Sequence, residues 1–560
     1  MHKRSTFSSM LESLPPGESF PLNYSRANID RVALHALNQV FPPQSVAAAR
    51  TKYHRARLNF DDLKENLMKF SSPKPPRNVE PSYLAAVNSV RRDLGLYNHK
   101  IIPLTTGAVA KHPDLPATKS PGLPWKLRGY KTKGEAVADP AVLHEIRKTW
   151  YDIESNKNVE LPDVACFARA QICPREKNKV RATWGYSLTV YMAEAAYFYP
   201  ILDILKTHPE PIIAYGLEMA NGGMSFIHSA AQRHAGRPYL MGDWSGFDST
   251  VPAWLIRDAF KLIEEAIDWD HVMDSEGKIW PVRAYRSKRR WRKLISYFID
   301  TPIRLSNGER FIKHSGVPSG ACFTNIIDSI VNAIVMRYLT YELTGELPIF
   351  DVYLGDDSVL ILNKILDLGV LSDLAAKTFG MDFNRNKSSI SYQSEHIYFL
   401  GYFNHQGQPR KPLDTIVAST VYPEHTVRDK IETISRLVGQ GYSCFEPTDA
   451  LAFFKAAHIV ATEEDIERSD VETFIHNHPH RFKYLQTIGV DPKGVSFPLL
   501  DGDGVLLITQ PSNPKRVYQQ RSYDVDALYE EALVSLSHLF NLEFEDDTQN
   551  SLLDEEYDPG

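Results

Sequence analysis

The stretch VYLGDDSVL at residues 352–360 decides how this chain is read. Val352, Tyr353 and Leu354 precede Gly355-Asp356-Asp357, and Val359 and Leu360 follow. Two runs of β-branched, aromatic and aliphatic residues around an Asp-rich turn predict a hairpin. Its tip would carry two adjacent carboxylates. Ionised carboxylates at a strand end repel one another, and hard oxygen ligands of this kind suit Mg²⁺. Taken alone, an Asp-Asp-Ser surface turn explains the same letters, so the weight falls on what surrounds them.

Upstream, RPYLMGDWSGFDST at residues 237–250 predicts a buried strand through Tyr239, Leu240 and Met241 that ends at Asp243. Ser245-Gly246 supplies a turn before Asp248, and Leu255, Ala259, Leu262, Ile263 and Ile267 then recur at helical spacing. Asp243 thus stands at a strand's C-terminal end, the usual place for a site residue in an α/β arrangement. Between the two Asp-bearing segments, SGVPSGACFTN at 315–325 is a Gly- and Ser-rich loop. It runs into an amphipathic helix with Ile327, Ile330, Ile334 and Tyr338 on one face. A helix N-terminus of this kind favours anions. Downstream come FGMDFNRNKS at 379–388 and an apolar strand, HIYFLGYF, at 396–403. Beyond Lys411 the pattern is mostly helical. One helix is marked by Val427, Ile431, Ile434 and Val438 and closed by Gly439, and another covers 451–460.

Positive charge collects in two places. In RAQICPREKNKVR at 169–181, Arg175, Lys177, Lys179 and Arg181 alternate, with Arg169 ahead of them, so an extended backbone would set those four on one face. A polyphosphate or nucleic-acid backbone would neutralise such a face, although a solvated charge run reads equally well. RSKRRWRK at 286–293 interleaves its charges with Trp291, which suits single-stranded nucleic acid or, alternatively, a core anchor. TKSPGLPW at 118–125 is a rigid loop in which Gly122 would let backbone N–H groups approach a phosphate, or simply a turn. The alternating His476, His478 and His480 read as a loop rather than a zinc site, and the sequence Asp501-Gly502-Asp503-Gly504 as a turn.

At 560 residues the chain exceeds one ordinary core, which predicts two to four subdomains, and a hydrophobic share of 43% is ample to fill them. SSPKPPRNVEP at 71–81 reads as a linker or an extended crossing segment, residues 82–95 as helical, and no internal repeat is visible. The net charge of -6 argues at first against nucleic acid, but eight carboxylates between Glu543 and Asp558 have no counter-charge, and without them the rest is positive by about 2. That stretch reads as a solvated tail. Cys166, Cys173, Cys322 and Cys444 form no CxxC pair, which points away from a disulfide framework and towards a reducing compartment. No apolar run approaches a bilayer span, no signal-peptide pattern opens the chain, and residue 2 is histidine rather than the glycine of myristoylation; a soluble protein is expected.

The order of these parts is more specific than any one of them. A basic strand is followed by a strand-end DxxxxD, a Gly/Ser loop with a downstream Thr, GDD, and then a Lys and an apolar strand. This order resembles the viral RNA-dependent RNA polymerases over residues 118–403, most closely those of the partitivirus and picobirnavirus type of double-stranded RNA virus. The resemblance implies an α+β right-hand fold: an N-terminal extension with fingertips at 1–100, fingers at 101–236, palm at 237–268, a fingers insertion at 269–312, palm again at 313–412, a helical thumb at 413–542 and the acidic tail at 543–560.

It also implies roles. Asp243 and Asp356 would hold Mg²⁺, with Mn²⁺ as a substitute and Asp357 as the adjacent ligand. Lys387 would protonate the leaving pyrophosphate, and Lys177, Lys179 and Arg181 would meet the triphosphate. Asp248, Ser319, Gly320 and Thr324 would sense sugar and template, as would Asp328, which stands where many relatives have Asn. Ser120, Pro121, Gly122, Arg169 and Arg175 would guide the template, and the strand at 399–403 would support the nascent RNA. Implied partners are RNA, NTPs and a viral capsid protein, with no membrane, inside the virion and in the host cytoplasm. Reverse transcriptases usually carry an aromatic before the paired Asp and a bulky residue at the position of Asp248, so Gly355 and Asp248 favour RNA synthesis. A catalytically silent RNA-binding or packaging protein would not need Asp243, Asp356 and Lys387 together.

Overall fold

The computed structural model describes residues 10–24 and 29–540, with helices and sheets mixed throughout; the acidic tail lies outside the described residues. Nine strands frame the region of interest: β1 (Leu11–Leu14), β2 (Val164–Ala170), β3 (Val180–Gly185), β4 (Tyr239–Gly242), β5 (Pro302–Arg304), β6 (Arg310–Lys313), β7 (Phe350–Leu354), β8 (Asp357–Ile361) and β9 (Ser389–Ser391). One sheet has the order β1-β6-β5-β2-β3. The other, β7-β8-β4-β9, is antiparallel throughout.

The second sheet explains its own composition. Leu240, Tyr353 and Leu360 point into one apolar core, while the alternate residues Tyr239, Met241, Val359 and Ile361 point into another. With both faces covered, the strands have no polar side. The expected hairpin forms between β7 and β8, with Leu354 opposite Asp357 and a two-residue loop of Gly355 and Asp356. Gly355 has φ of +60°, at the position where a type II′ turn needs glycine.

The helices that matter are α1 (Arg31–Val40), α2 (Pro81–Leu94), α3 (Leu188–Thr207), α4 (Ala253–Glu264), α5 (Thr324–Thr344), α6 (Lys430–Cys444), α7 (Pro447–Glu463) and α8 (Val525–Ser535). α5 differs from the expectation of an amphipathic helix. Every residue from Ile326 to Thr340 is buried, because α5 runs through the main core with sheet and helices around it. The helical C-terminal region is present, but Gly439 does not close its helix; α6 continues to Cys444. A Cβ at Gly439 would fall 2.1 Å from the Tyr484 hydroxyl and one at Gly441 2.4 Å from Phe454, so these glycines permit close packing rather than a stop. α1 joins this bundle through Leu37 and Phe41 just after its end, although it comes from the other end of the sequence.

Two further expectations change, and one open alternative is decided. Residues 396–403 form not one strand but the hairpin Tyr398–Phe399 and Tyr402–His405, turned by Leu400 and Gly401 at φ +53° and +85°. Both loop residues are left-handed, as a type I′ turn requires. Asp501 is no turn residue; its carboxylate caps the helix Gly502–Thr509 by accepting the Gly504 N–H. Trp291 takes the core alternative at 1% exposure, packed against Tyr197, Phe260 and Phe323.

The last described stretch returns to the body. Arg521 donates to Asp351 on β7 at 2.9 Å, where the buried Arg337 of α5 already donates twice at 2.7 and 2.9 Å. α8 lies on α2, whose Asn88 donates to the Leu528 carbonyl at 2.9 Å. Among the described residues no helix is long and apolar enough to cross a membrane.

Candidate active site

Strand register brings the acidic residues together. β8 pairs with β4 so that Ser358 faces Gly242. One step further, Asp243 leaves β4 beside Asp357 and the tip of the β7–β8 hairpin. The backbone of Asp243 is fixed from β9's side: its N–H donates to Ser388 Oγ at 2.9 Å, and its carbonyl accepts the Asn384 N–H at 2.9 Å. Nothing in the sequence distinguished Asn384 and Ser388 beyond their place in the run before β9. After Asp243 the chain turns at Gly246, φ +56°, into a short helix, Phe247–Thr250, that presents Asp248.

The electrostatics show how close these groups are. Burial raises the Asp357 carboxyl, and Asp356 and Asp243 raise it further, to about 7. Asp356 is pushed up by burial and by the charges of Asp248 and Asp243, with Arg181 opposing. Asp243 is raised by burial and held back by Lys387 and Lys179. Asp328 lies well above the usual carboxylate range, through burial and then through the charge of Asp248. Out of water and beside another carboxylate, Asp328 favours its protonated form.

The basic residues divide. Arg181 on β3 donates to Asp248 at 3.3 Å, and Lys179 and Lys387 flank Asp243. The expected single basic strand does not form. Pro174 ends a short strand, the Lys177 N–H closes a turn on the Pro174 carbonyl at 3.0 Å, and the chain reverses into β3. Arg175 therefore points elsewhere, its guanidinium bonded to the Arg50 carbonyl and the Tyr422 hydroxyl. Lys177 sits in the turn with its carbonyl against His54. Arg169 pairs with Glu424 at 2.9 Å.

The Gly/Ser loop is anchored to β3. The Trp184 N–H donates to the Ser319 carbonyl at 2.8 Å, and Ser319 Oγ reaches the Ala182 carbonyl at 3.3 Å. Gly320, φ +142°, has no room for a Cβ, which would lie 2.0 Å from the Trp184 carbonyl. Thr324 turns its hydroxyl to the Pro318 carbonyl at 2.6 Å and so ties the loop to the start of α5. The loop of Ser120, Pro121 and Gly122 packs on residues 186–188, with the Leu188 N–H on the Pro121 carbonyl at 2.8 Å. The close approach that Gly122 permits is to protein, since its Cβ would meet the Tyr186 carbonyl at 2.7 Å.

A family now accounts for this arrangement. The sequence model of the viral RNA-dependent RNA polymerases matches residues 40–440, well over half of the chain. The chain belongs to that family. Among its relatives are the RNA-directed RNA polymerase of Atkinsonella hypoxylon virus (isolate 2H), 27% identical over 391 residues that cover 60% of this chain and 56% of the relative. That of Cryptosporidium parvum virus 1 (strain KSU-1) is 30% identical over 253 residues, 44% and 43% of the two chains. That of White clover cryptic virus 1 (isolate Boccardo/2004) is 25% identical over 287 residues, 48% and 46%. The chain spans about half the length of the curated relatives it matches.

The family implies a divalent metal, and the donors suit one. Asp356 and Asp357 are raised by burial and then by neighbouring negative charge, and a bound cation would relieve the second. Among the described residues no three His, Cys, Asp or Glu side chains close a cage by themselves. Mg²⁺ does not need one: it is ordinarily held by one or two carboxylates and completed by water and substrate phosphate.

Proposed function

We propose that this polymerase copies an RNA template, joining NTPs to an RNA 3′-hydroxyl for replication and transcription of a double-stranded RNA genome. The observation that carries the reading is the meeting of Asp243 with Asp356 and Asp357 at the ends of adjacent antiparallel strands, with Arg181 and Lys387 beside them. In this reading the β7-β8-β4-β9 sheet is the palm, at 237–268 and 313–412. Residues 101–236 and 269–312 supply fingers, residues 1–100 an extension, and 413–542 the thumb.

Asp243 and Asp356 would hold Mg²⁺, or Mn²⁺ in its place, with Asp357 adjacent, and such ions would supply charge stabilisation for an in-line displacement. Arg181 and Lys179 bind the triphosphate, whose oxygens displace the Arg181–Asp248 pair. Asp248 is then free to accept from the ribose 2′-hydroxyl while protonated Asp328 supports it from behind. Lys387, beside Asp243, gives a proton to the departing pyrophosphate; a positioned acid contributes typically about 10²- to 10⁴-fold in rate. Ser319, Gly320 and Thr324 shape the pocket floor, and the loop of Ser120, Pro121 and Gly122 guides the template. A capsid protein as partner, in the virion and the host cytoplasm, follows from the resemblance.

The test is RNA synthesis by the full chain on a single-stranded RNA template, with ribo- and deoxynucleotides compared. Asp243→Ala and Asp356→Ala should each remove synthesis while RNA binding and fold persist. Wild-type elongation in either variant overturns the assignment.

A further inference from the structure

α5 is apolar through most of its buried length, yet Ser329 and Asn332 sit inside it at 0% exposure. A buried polar side chain costs free energy unless its hydrogen bonds are made, so its partners show what it is for. Asn332 Oδ1 accepts from the Trp244 indole N–H at 3.1 Å. Its Nδ2 donates to the Gly355 carbonyl at 3.1 Å and lies 3.4 Å from the Asp357 carbonyl. Ser329 Oγ accepts the Gly355 N–H at 2.8 Å and donates to the Asn325 carbonyl at 2.6 Å.

The partners are the neighbours of the acidic residues. Trp244 directly follows Asp243, and Gly355 and Asp357 enclose Asp356. We infer that Asn332, with Ser329 about one turn before it, is a positioning residue that sets the spacing of the two carboxylate-bearing turns. The inference rests on the polymerase reading above. A carboxamide carries an acceptor and donors on one rigid plane, so it can hold an indole N–H on one side and two carbonyls on the other. Backbone pairing in the sheet stops at Gly242 and Asp357, one residue short of Asp243 and Asp356. Beyond that point Asp243 is held by Ser388 and Asn384 and Trp244 pairs with Phe383, and Asn332 is what ties this segment across to the Gly355–Asp357 turn. The outer partners of metal-binding side chains typically change affinity or activity by about 10- to 100-fold when removed.

The experiment compares Asn332→Leu and Ser329→Ala with wild type and with Ser329→Thr, which keeps the hydroxyl. Mn²⁺ alone is titrated into the protein by calorimetry, hydrogen exchange of the peptide spanning 350–361 is followed without metal, and kcat is separated from the KM for NTP. Asn332→Leu and Ser329→Ala should weaken Mn²⁺ binding and lower kcat by about 10- to 100-fold, with KM changed less than about twofold. Exchange at 355–357 should quicken while the melting temperature and RNA affinity hold, and Ser329→Thr should stay near wild type. Unchanged Mn²⁺ affinity and kcat in both variants, or a change confined to KM, overturns the inference. If Asn332→Leu does not fold, Ser329→Ala decides, since it removes only one oxygen. Full activity in Asp356→Ala would instead overturn the polymerase reading itself.

Discussion

Glu194→Gln isolates one buried proton. Glu194 lies on α3 at 1% exposure and accepts the Cys322 N–H at 2.8 Å, just ahead of α5. Burial pushes its carboxyl from 4.5 up to about 8, against backbone hydrogen bonds from Cys322 and Phe323 that favour the charged form. Because the folded value lies above the unfolded one, the stability Glu194 confers is fully present below pH 4.5 and is lost as pH rises towards about 8. Each pH unit in that window costs roughly 1.4 kcal/mol, so about 3 kcal/mol has gone by pH 7 and a ceiling near 5 is reached at the upper end. Glutamine keeps the acceptor for Cys322 and cannot ionise in either state. Its extra amide protons need partners in a buried place, which costs about 1 to 3 kcal/mol at every pH. The diagnostic is therefore the slope. For a chain this long, roughly 1 kcal/mol moves the melting temperature by about 1 °C. Scanning calorimetry at pH 5, 6, 7 and 8 should show the variant gaining on wild type by about 1 °C per unit. A difference that does not vary with pH refutes a neutral Glu194.

The site yields further expectations. Arg181→Ala should raise the KM for all four NTPs alike, because phosphate contacts carry no base information; an effect on one nucleotide alone contradicts the triphosphate role. Asp248→Ala should relax the preference for ribonucleotides, whereas Asp328→Asn should preserve it, since Asp328 already acts as a neutral group; incorporation ratios decide both. The His314 side chain is mostly withdrawn from water, which disfavours its charge, but Asp300 at 2.7 Å and Glu12 at 3.3 Å more than compensate and raise it above 6.5. Its hold on β1 is then complete below pH 6.5 and weakens as pH rises through the raised value, so limited proteolysis near residues 11–14 should quicken with pH in wild type and lose that dependence in His314→Gln. Deleting residues 543–560, eight uncompensated carboxylates among them, should leave synthesis nearly unchanged and tighten non-specific RNA binding at low salt.

The placement of the carboxylates was legible because it is local. Gly355-Asp356-Asp357 between two apolar runs and Asp243 after Tyr239-Leu240-Met241 each state their own geometry within ten residues. What escaped depends on long-range contact. Alternation at Arg175, Lys177, Lys179 and Arg181 suggested one strand, but Pro174 and the turn after it decide otherwise. α5 showed a helical period, yet only the surrounding core reveals that its whole circumference is covered. Ser329 and Asn332 were visible as polar letters in an apolar run, and the indole and the Gly355 backbone groups they serve lie 23 to 88 positions away. Gly439 and Gly122 looked like punctuation and are clearances for Tyr484 and the Tyr186 carbonyl.

The return of the last described stretch bears on how the protein is made. Asp351 sits at 1% exposure on a strand of the central sheet, and one of its two guanidinium partners, Arg521, is synthesised 170 residues later. A ribosome adds on the order of 5 to 20 residues per second, so for roughly ten seconds or more a nascent sheet lacks that partner. Arg337 still pairs with Asp351 in that interval, so what is missing is one charge-assisted hydrogen bond, typically about 1.5 to 3 kcal/mol. Prematurely terminated chains that stop before Arg521 carry this defect permanently, along with the α2 surface that α8 would have covered. The central sheet is thereby completed by residues made long after it, through Arg521 and the helix that follows.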